Sequence, residues 1–129
     1  MSTWLREFVE RQMAAQAAED PAAAPALAGA GGMRLFGTIG AEVFLRPDGT
    51  TVALVEGAAG EPDRWHDDTE SEHIAALVIA RTRFPELEQL LPRRPERAND
   101  CSMCAATGLI QGMVCGACSG LGWIVAPAT

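Results

Sequence analysis

The 129-residue sequence contains no lysine, and all ten of its basic residues are arginine. Together with the many Ala, Gly and Pro residues, this bias indicates a GC-rich, bacterial coding sequence. The formal net charge is -7, and the basic residues cluster only at Arg93, Arg94 and Arg97. Proteins that bind nucleic acids neutralise phosphates with clustered Lys and Arg. The composition therefore predicts that nucleic acid is not a partner.

Long apolar runs are also missing. No stretch approaches the ~18 uncharged apolar residues that a membrane-spanning helix needs. Glu7, Glu10 and Arg11 interrupt the N-terminal region where a signal peptide would carry its apolar segment. We therefore expect a cytoplasmic protein without a membrane partner. Because that compartment keeps thiols reduced, the four cysteines are expected to bind a metal or to perform redox chemistry.

The first 19 residues predict an amphipathic helix, because apolar side chains recur at three- and four-residue spacing within residues 2–18. Its apolar face either packs on the chain's own domain or docks on a partner or a second copy, which would make a homo-oligomer. Residues 20–32, DPAAAPALAGAGG, have the composition of a flexible linker.

Residues 33–92 predict a small α+β domain with an antiparallel sheet. Three β-prone segments, RLFGTIG, AEVFLR and TTVALVEG, follow one another, and Pro47-Asp48-Gly49 supplies the tight turn between the last two. Residues 60–68 are read as an acidic loop. Thr69 and Glu72 match a capping box that begins a helix, and Phe84-Pro85 ends or kinks it. Residues 93–100 are expected to be a second linker.

The most informative stretch is CSMCAATGLIQGMVCGACSGLG, which contains two CxxC pairs. Each CxxC turn presents two sulfurs at a separation that suits one metal ion, and the ten residues between the pairs are enough to run out and return. The spacing predicts one structural Zn²⁺ held by Cys101, Cys104, Cys115 and Cys118. Four cysteine ligands leave no open position on the metal, so we expect no catalytic residue at this site.

Glycines follow both pairs at fixed offsets. The second copy is a full CxxCxGxG with Gly120 and Gly122, and the first copy keeps Gly108 but has Ala106 in place of its other glycine. Residues 101–122 resemble the cysteine-rich zinc-finger domain of DnaJ chaperones. The resemblance implies a zinc-binding ribbon hairpin, here within residues 101–125, that binds polypeptides and in some relatives takes part in thiol-disulfide exchange. It does not extend to a J-domain, because no HPD tripeptide is present.

From Cys101 to the last residue the sequence has no charged side chain. So small a ribbon cannot bury all its apolar residues around one metal, and many must face a second surface, either the 33–92 domain or another protein. The candidate partner-binding residues are Leu109, Ile110, Met113, Leu121 and Trp123 of the ribbon, with Trp4, Leu5 and Phe8 of the N-terminal helix. The sequence thus predicts a non-catalytic protein-binding module, an adaptor or a chaperone-like factor.

Two other functions stay open. A zinc-linked thiol switch would release zinc on oxidation, although no Lys, Arg or His within the motif lowers a thiol pKa. The segment FGTIGAEVFLRPDGTTVALVEG, followed by a helix and FPELEQLL, resembles SUKH-type domains, which include toxin-immunity proteins, and this resemblance also implies partner binding. Trp65-His66-Asp67-Asp68 invites an enzymatic interpretation, but no second histidine stands at a matching ligand spacing.

Overall fold

The structure is a computed structural model that describes residues 3–111 and 113–125. It is a mixed α+β fold, as predicted, and it forms two compact units, Met1–Thr69 and Glu70–Thr129. The boundary between the units lies inside residues 33–92, which the sequence predicts as one domain. Among the described residues, no helix is long and apolar enough to cross a membrane.

The first unit contains a four-stranded antiparallel sheet in the order β1-β2-β3-β4. The strands are β1 (Met33–Thr38), β2 (Ala41–Leu45), β3 (Thr51–Val55) and β4 (Arg64–Asp67). The first three match the predicted strands. The fourth lies within the stretch predicted as an acidic loop, and that interpretation was wrong there. All four residues of β4 are exposed, so the strand lacks the apolar alternation by which a sequence reveals a half-buried strand.

The turn between β2 and β3 forms at the predicted residues. Gly49 has a φ of +91°, and its N–H donates to the carbonyl oxygen of Arg46 over 3.0 Å. Asp48 Oδ1 accepts hydrogen bonds from the hydroxyl of Thr50 at 2.6 Å and from its backbone N–H at 2.9 Å. These two bonds, the hydroxyl contributing most, hold the pKa of Asp48 below its ordinary value.

Two helices belong to the same unit, α1 (Trp4–Glu19) and α2 (Ala24–Ala30). The second is unexpected, because residues 20–32 have the composition of a flexible linker. Its residue Leu27 lies in a buried cluster with Phe44 of β2 and Val52 of β3. Alanine has the highest helix propensity, and Gly31 at a φ of +65° ends the helix by donating to the carbonyl oxygen of Leu27. Leu27 and Ala30, both buried in this cluster, anchor the alanine-rich helix on the sheet.

The second unit begins with α3 (Glu70–Ala80), which starts one residue after Thr69, as the capping pattern predicts. A 3₁₀ segment, Pro85–Leu90, follows and buries Leu87. The remaining strands form two short antiparallel pairs. β5 (Ala98–Asp100) pairs with β8 (Trp123–Val125), and β6 (Leu109–Ile110) pairs with β7 (Met113–Val114). The end of the predicted 93–100 linker is therefore a strand of the ribbon.

Candidate metal centre

The four cysteines form a buried cluster of their own. Cys101 Sγ lies 3.8 Å from Cys115 Sγ, and Cys104 Sγ lies 3.7 Å from Cys118 Sγ. All four Sγ atoms lie within 4.8 Å of one another. A tetrahedral ion with metal–sulfur bonds of about 2.3 Å, as in zinc sites, separates its sulfur ligands by about 3.8 Å. The arrangement can therefore coordinate one metal ion with the four residues that the spacing predicts.

The two halves of the site have the same backbone geometry. The N–H of Gly108 donates to Cys104 Sγ at 3.2 Å, and the N–H of Gly122 donates to Cys118 Sγ, also at 3.2 Å. Such bonds stabilise a thiolate and orient it as a metal ligand. The first cysteine of each CxxC pair also accepts a hydrogen bond at its carbonyl oxygen from the backbone N–H five residues later. Ala106 donates to Cys101 at 3.0 Å, and Gly120 donates to Cys115 at 3.1 Å. The repeat in the sequence is thus a repeat in structure.

Reciprocal hydrogen bonds join the two halves. The N–H of Cys101 donates to the carbonyl oxygen of Gly122, and the N–H of Cys115 donates to that of Gly108, both at 2.9 Å. Gly108 and Gly122 have φ values of +81° and +86°. A Cβ on Gly122 would lie 2.6 Å from the carbonyl oxygen of Ala106, and one on Gly108 would collide with that of Gly120. Both motif glycines are therefore required by backbone angle and by space.

Ala106 is the one departure from the motif, and the backbone keeps the motif's geometry there. Its φ is +64°, in the same left-handed region as the +85° of Gly120 at the matching position. A residue with a Cβ is strained in this region by about 1 kcal/mol. The first half therefore carries a strain that the second half avoids by using glycine.

The electrostatics of the cluster favour thiolate at one position. Burial raises the pKa of the Cys104 thiol, but the N–H of Gly108 and the neighbouring thiols outweigh it and lower the pKa to about 7. For Cys118, burial raises the pKa to about 11, although the N–H of Gly122 opposes the rise. Metal ligation requires thiolates, so binding a metal here displaces protons.

The ribbon packs on α3 within the second unit. A Cβ built on Gly120 would lie 2.9 Å from a methyl carbon of Val114 and 3.0 Å from one of Val78, so these side chains close over the glycine. Val78 is buried on α3. Part of the ribbon's apolar surface is therefore covered by α3, which belongs to the 33–92 segment. This agrees with the interpretation that the ribbon packs on that segment.

Six other apolar residues of the ribbon are exposed to solvent. Met113 is 73% exposed and Met103 is 68% exposed. Leu109 and Ile110, two other candidate partner residues, are exposed as well, whereas Leu121 and Trp123 are half-buried. Met103, Ile124 and Val125 are exposed apolar residues outside the candidate set. The exposure of Met103 could have been predicted from the sequence, because the middle residues of a CxxC turn do not ligate the metal.

The three candidate residues of α1 are less exposed than most of those on the ribbon. Phe8 is 2% exposed and belongs to the core of the first unit, so its assignment to a partner surface was wrong. Its ring centroid lies 6.2 Å from that of Trp4. Trp4 and Leu5 are half-buried. The periodic apolar face of this helix is thus occupied in large part by its own unit.

No protein-family model, curated protein or solved structure matches the chain. What the structure shows at residues 101–122 is a buried cluster of four cysteines that can hold one metal ion.

Proposed function

We propose that the chain is a zinc-binding module whose metal is structural and whose ribbon binds another protein. The observation that supports zinc is the cluster of four buried Sγ atoms, with two pairs at 3.8 and 3.7 Å. Four thiolates in a tetrahedron are a preferred environment of Zn²⁺, and they leave no coordination position for water or substrate. The role of the metal is then to hold the ribbon in shape.

The need for a metal follows from the ribbon's small core. Its four strands are two or three residues long, and its four cysteines form a separate buried cluster. So short a hairpin cannot stabilise itself by apolar burial, and metal coordination supplies the missing folding free energy. We expect the ribbon to lose its structure when zinc is removed.

The protein-binding role is supported by what the ribbon exposes. Met103 and Met113 are more than two-thirds exposed, and the ribbon carries no charged side chain from Cys101 onward. Methionine is flexible and polarisable, so a methionine-bearing surface adapts to varied apolar partners. The function is that of an adaptor or a chaperone-like factor that binds apolar segments of polypeptides.

A binding experiment tests this role. The zinc-loaded protein is titrated with reduced, carboxymethylated α-lactalbumin, a permanently unfolded polypeptide, and the double variant Met103→Ser/Met113→Ser is measured beside it. We expect the variant to keep one zinc and to bind at least about fivefold more weakly, since each exposed methionine contributes about 0.5 kcal/mol or more. The exposed change Ala14→Ser in α1 is the control. Equal binding by the variant would refute the proposed surface, while a chain that binds no zinc would refute the metal centre.

A thiol switch is the second candidate, and one observation favours it. Sulfurs from the two halves lie close together, 3.8 Å apart in the pair Cys101/Cys115 and 3.7 Å apart in the pair Cys104/Cys118. Hydrogen peroxide can take two electrons from such a pair, forming a disulfide and water and releasing the metal. Peptide mapping after mild peroxide would then find disulfides among the four cysteines. Thiols that stay reduced while zinc is retained exclude the switch.

A further inference from the structure

The two edges of the four-stranded sheet differ in one respect that suggests a binding site. At the β1 edge, the side-chain amide of Gln16 from α1 makes two hydrogen bonds to the backbone of Arg34. Gln16 Nε2 donates to the carbonyl oxygen of Arg34 at 2.8 Å, and the N–H of Arg34 donates to Gln16 Oε1, also at 2.8 Å. The amide takes the place of one residue of a neighbouring strand. This edge is therefore partly closed by the chain itself.

At the β4 edge, no described strand pairs with the outer side of Arg64–Asp67, and all four residues are exposed. The N–H of Asp68 donates to the carbonyl oxygen of Thr51 at 3.4 Å. Because hydrogen-bonded and non-hydrogen-bonded pairs alternate in an antiparallel ladder, this bond fixes the pattern along β4. The backbone N–H and C=O groups of Trp65 and Asp67 then point away from β3, toward the outer edge.

The side chains at these two positions share one face and define what would pair with them. The indole of Trp65 is held by Phe44, whose ring centroid lies 5.8 Å away, and by Gly29 of α2, whose missing side chain makes room for it. Even so, Trp65 is 43% exposed and offers part of its ring to a neighbour. Asp67 forms an ion pair with Arg46 at 3.5 Å, but its side chain stays 85% exposed.

The charges around β4 indicate that its ligand is positively charged. Residues 61–68, EPDRWHDD, contain four carboxylates and one arginine, and the whole chain carries -7. An acidic strand or a second copy of this chain is repelled by this edge, whereas a basic strand is attracted. A Lys or Arg opposite Trp65 can also lie over the indole in a cation–π contact.

We propose that β4 is a site for strand addition, and that its ligand is an extended peptide which pairs antiparallel with Trp65 and Asp67 and carries basic residues at alternate positions. The alternation follows from the sheet, because residues opposite Trp65 and Asp67 are two apart in the added strand and lie on one face. The proposal rests on residues of the first unit alone and does not depend on the proposed function.

The pairing pattern provides a matched pair of test peptides. In the proposed register the basic residues of the ligand turn their own N–H groups toward β4, and the residues between them turn theirs to solvent. The probe is a capped peptide of alternating Arg and Val, six residues long. One derivative carries N-methyl groups on its three arginines, and the other carries them on its three valines, so both have the same charge and the same number of methyl groups.

Binding is followed by ¹⁵N NMR of the zinc-loaded full-length chain at ~100 mM salt. We expect the valine-methylated peptide to bind like the parent, and the arginine-methylated peptide to bind at least about tenfold more weakly, because it loses two or three hydrogen bonds. The amides of Trp65 and Asp67 should shift and gain protection from exchange, while that of Arg34 should not. Trp65→Ala should weaken the parent peptide by about two- to fivefold.

Several results would overturn the proposal. Equal affinity of the two methylated peptides would reduce the interaction to charge attraction alone. Equal binding of a peptide with Glu in place of Arg would remove the charge selection. Absence of binding, or shifts confined to residues outside β4, would exclude this edge as the site.

Discussion

Gly108 and Gly120 lie in direct backbone contact across the two halves of the metal centre, with the carbonyl oxygen of Gly120 in the space that a Cβ on Gly108 would need. The same relationship links Gly122 to the carbonyl oxygen of Ala106. The motif glycines thus do more than permit a turn. They allow the two halves to approach closely enough for the four sulfurs to surround one metal ion.

The first prediction concerns that contact. Gly108→Ala should destabilise the zinc-bound ribbon by about 2 to 4 kcal/mol, because the new Cβ collides with backbone and the φ of +81° is strained for alanine. The measurement is denaturant unfolding in excess zinc, with zinc competition by a chromogenic chelator. Gly116→Ala is the matched control, since a Cβ there meets no atom within 4 Å. If the two variants behave alike, the contact does not limit the site.

The second prediction concerns the strained residue Ala106. Ala106→Gly should stabilise the zinc-bound form by about 0.5 to 1 kcal/mol, because relief of the positive φ exceeds the entropy that glycine adds to the unfolded chain. The reverse change at the matching position, Gly120→Ala, should destabilise by more, since its Cβ also crowds Val114 and Val78. Both are measured by denaturant unfolding. A destabilising Ala106→Gly would mean that the methyl group of Ala106 contributes packing that outweighs the strain.

The third prediction tests α2 as part of the core. Leu27→Ala should lower the free energy of unfolding by about 2 to 4 kcal/mol, because the side chain is 3% exposed and packs with Phe44 and Val52. Ala28→Ser, at an exposed position of the same helix, should change it by less than about 0.5 kcal/mol. A flexible linker would tolerate both changes equally, and that result would contradict the helix seen here.

The fourth prediction concerns pH and the β2–β3 turn. The folded-state pKa of Asp48 is lowered, so the carboxylate's contribution is full above its unfolded value near 3.8 and is lost as the pH falls through the folded value. Asp48→Ala should lower the free energy of unfolding by about 0.5 to 1 kcal/mol at pH 7. Well below the folded-state pKa of Asp48, the same substitution should change it very little. Asp48→Asn, which keeps an acceptor oxygen, should cost less at pH 7. The carboxyl titration is followed by NMR, and an unshifted pKa would refute the two bonds from Thr50.

Sequence reasoning found the elements that have strong local chemistry. The four cysteines were predictable because metal ligation imposes a fixed spacing, and the turn at Asp48 was predictable because it needs Pro and Gly at set positions. The start of α3 after Thr69 follows from the capping pattern. In each case the signal lies within a few neighbouring residues.

The elements that were missed depend on distant contacts. α2 is stabilised as a helix because Leu27 packs against Phe44 and Val52 on the sheet. β4 is a strand because its backbone pairs with the edge of β3. Phe8 looked like a partner contact because periodicity reveals an apolar face without revealing what covers it. The reciprocal bonds between the two halves of the metal centre are likewise a property of the folded chain.

X-ray absorption at the zinc K-edge of the purified, zinc-reconstituted protein tests the central claim most directly. A closed structural site predicts one zinc per chain with four sulfur ligands at about 2.3 Å and no nitrogen or oxygen ligand. Cys115→Ser should lose that four-sulfur signature, while Gly116→Ala should keep it. Fewer than four sulfurs in the wild-type protein, or a water-derived oxygen in the first coordination sphere, would contradict the account.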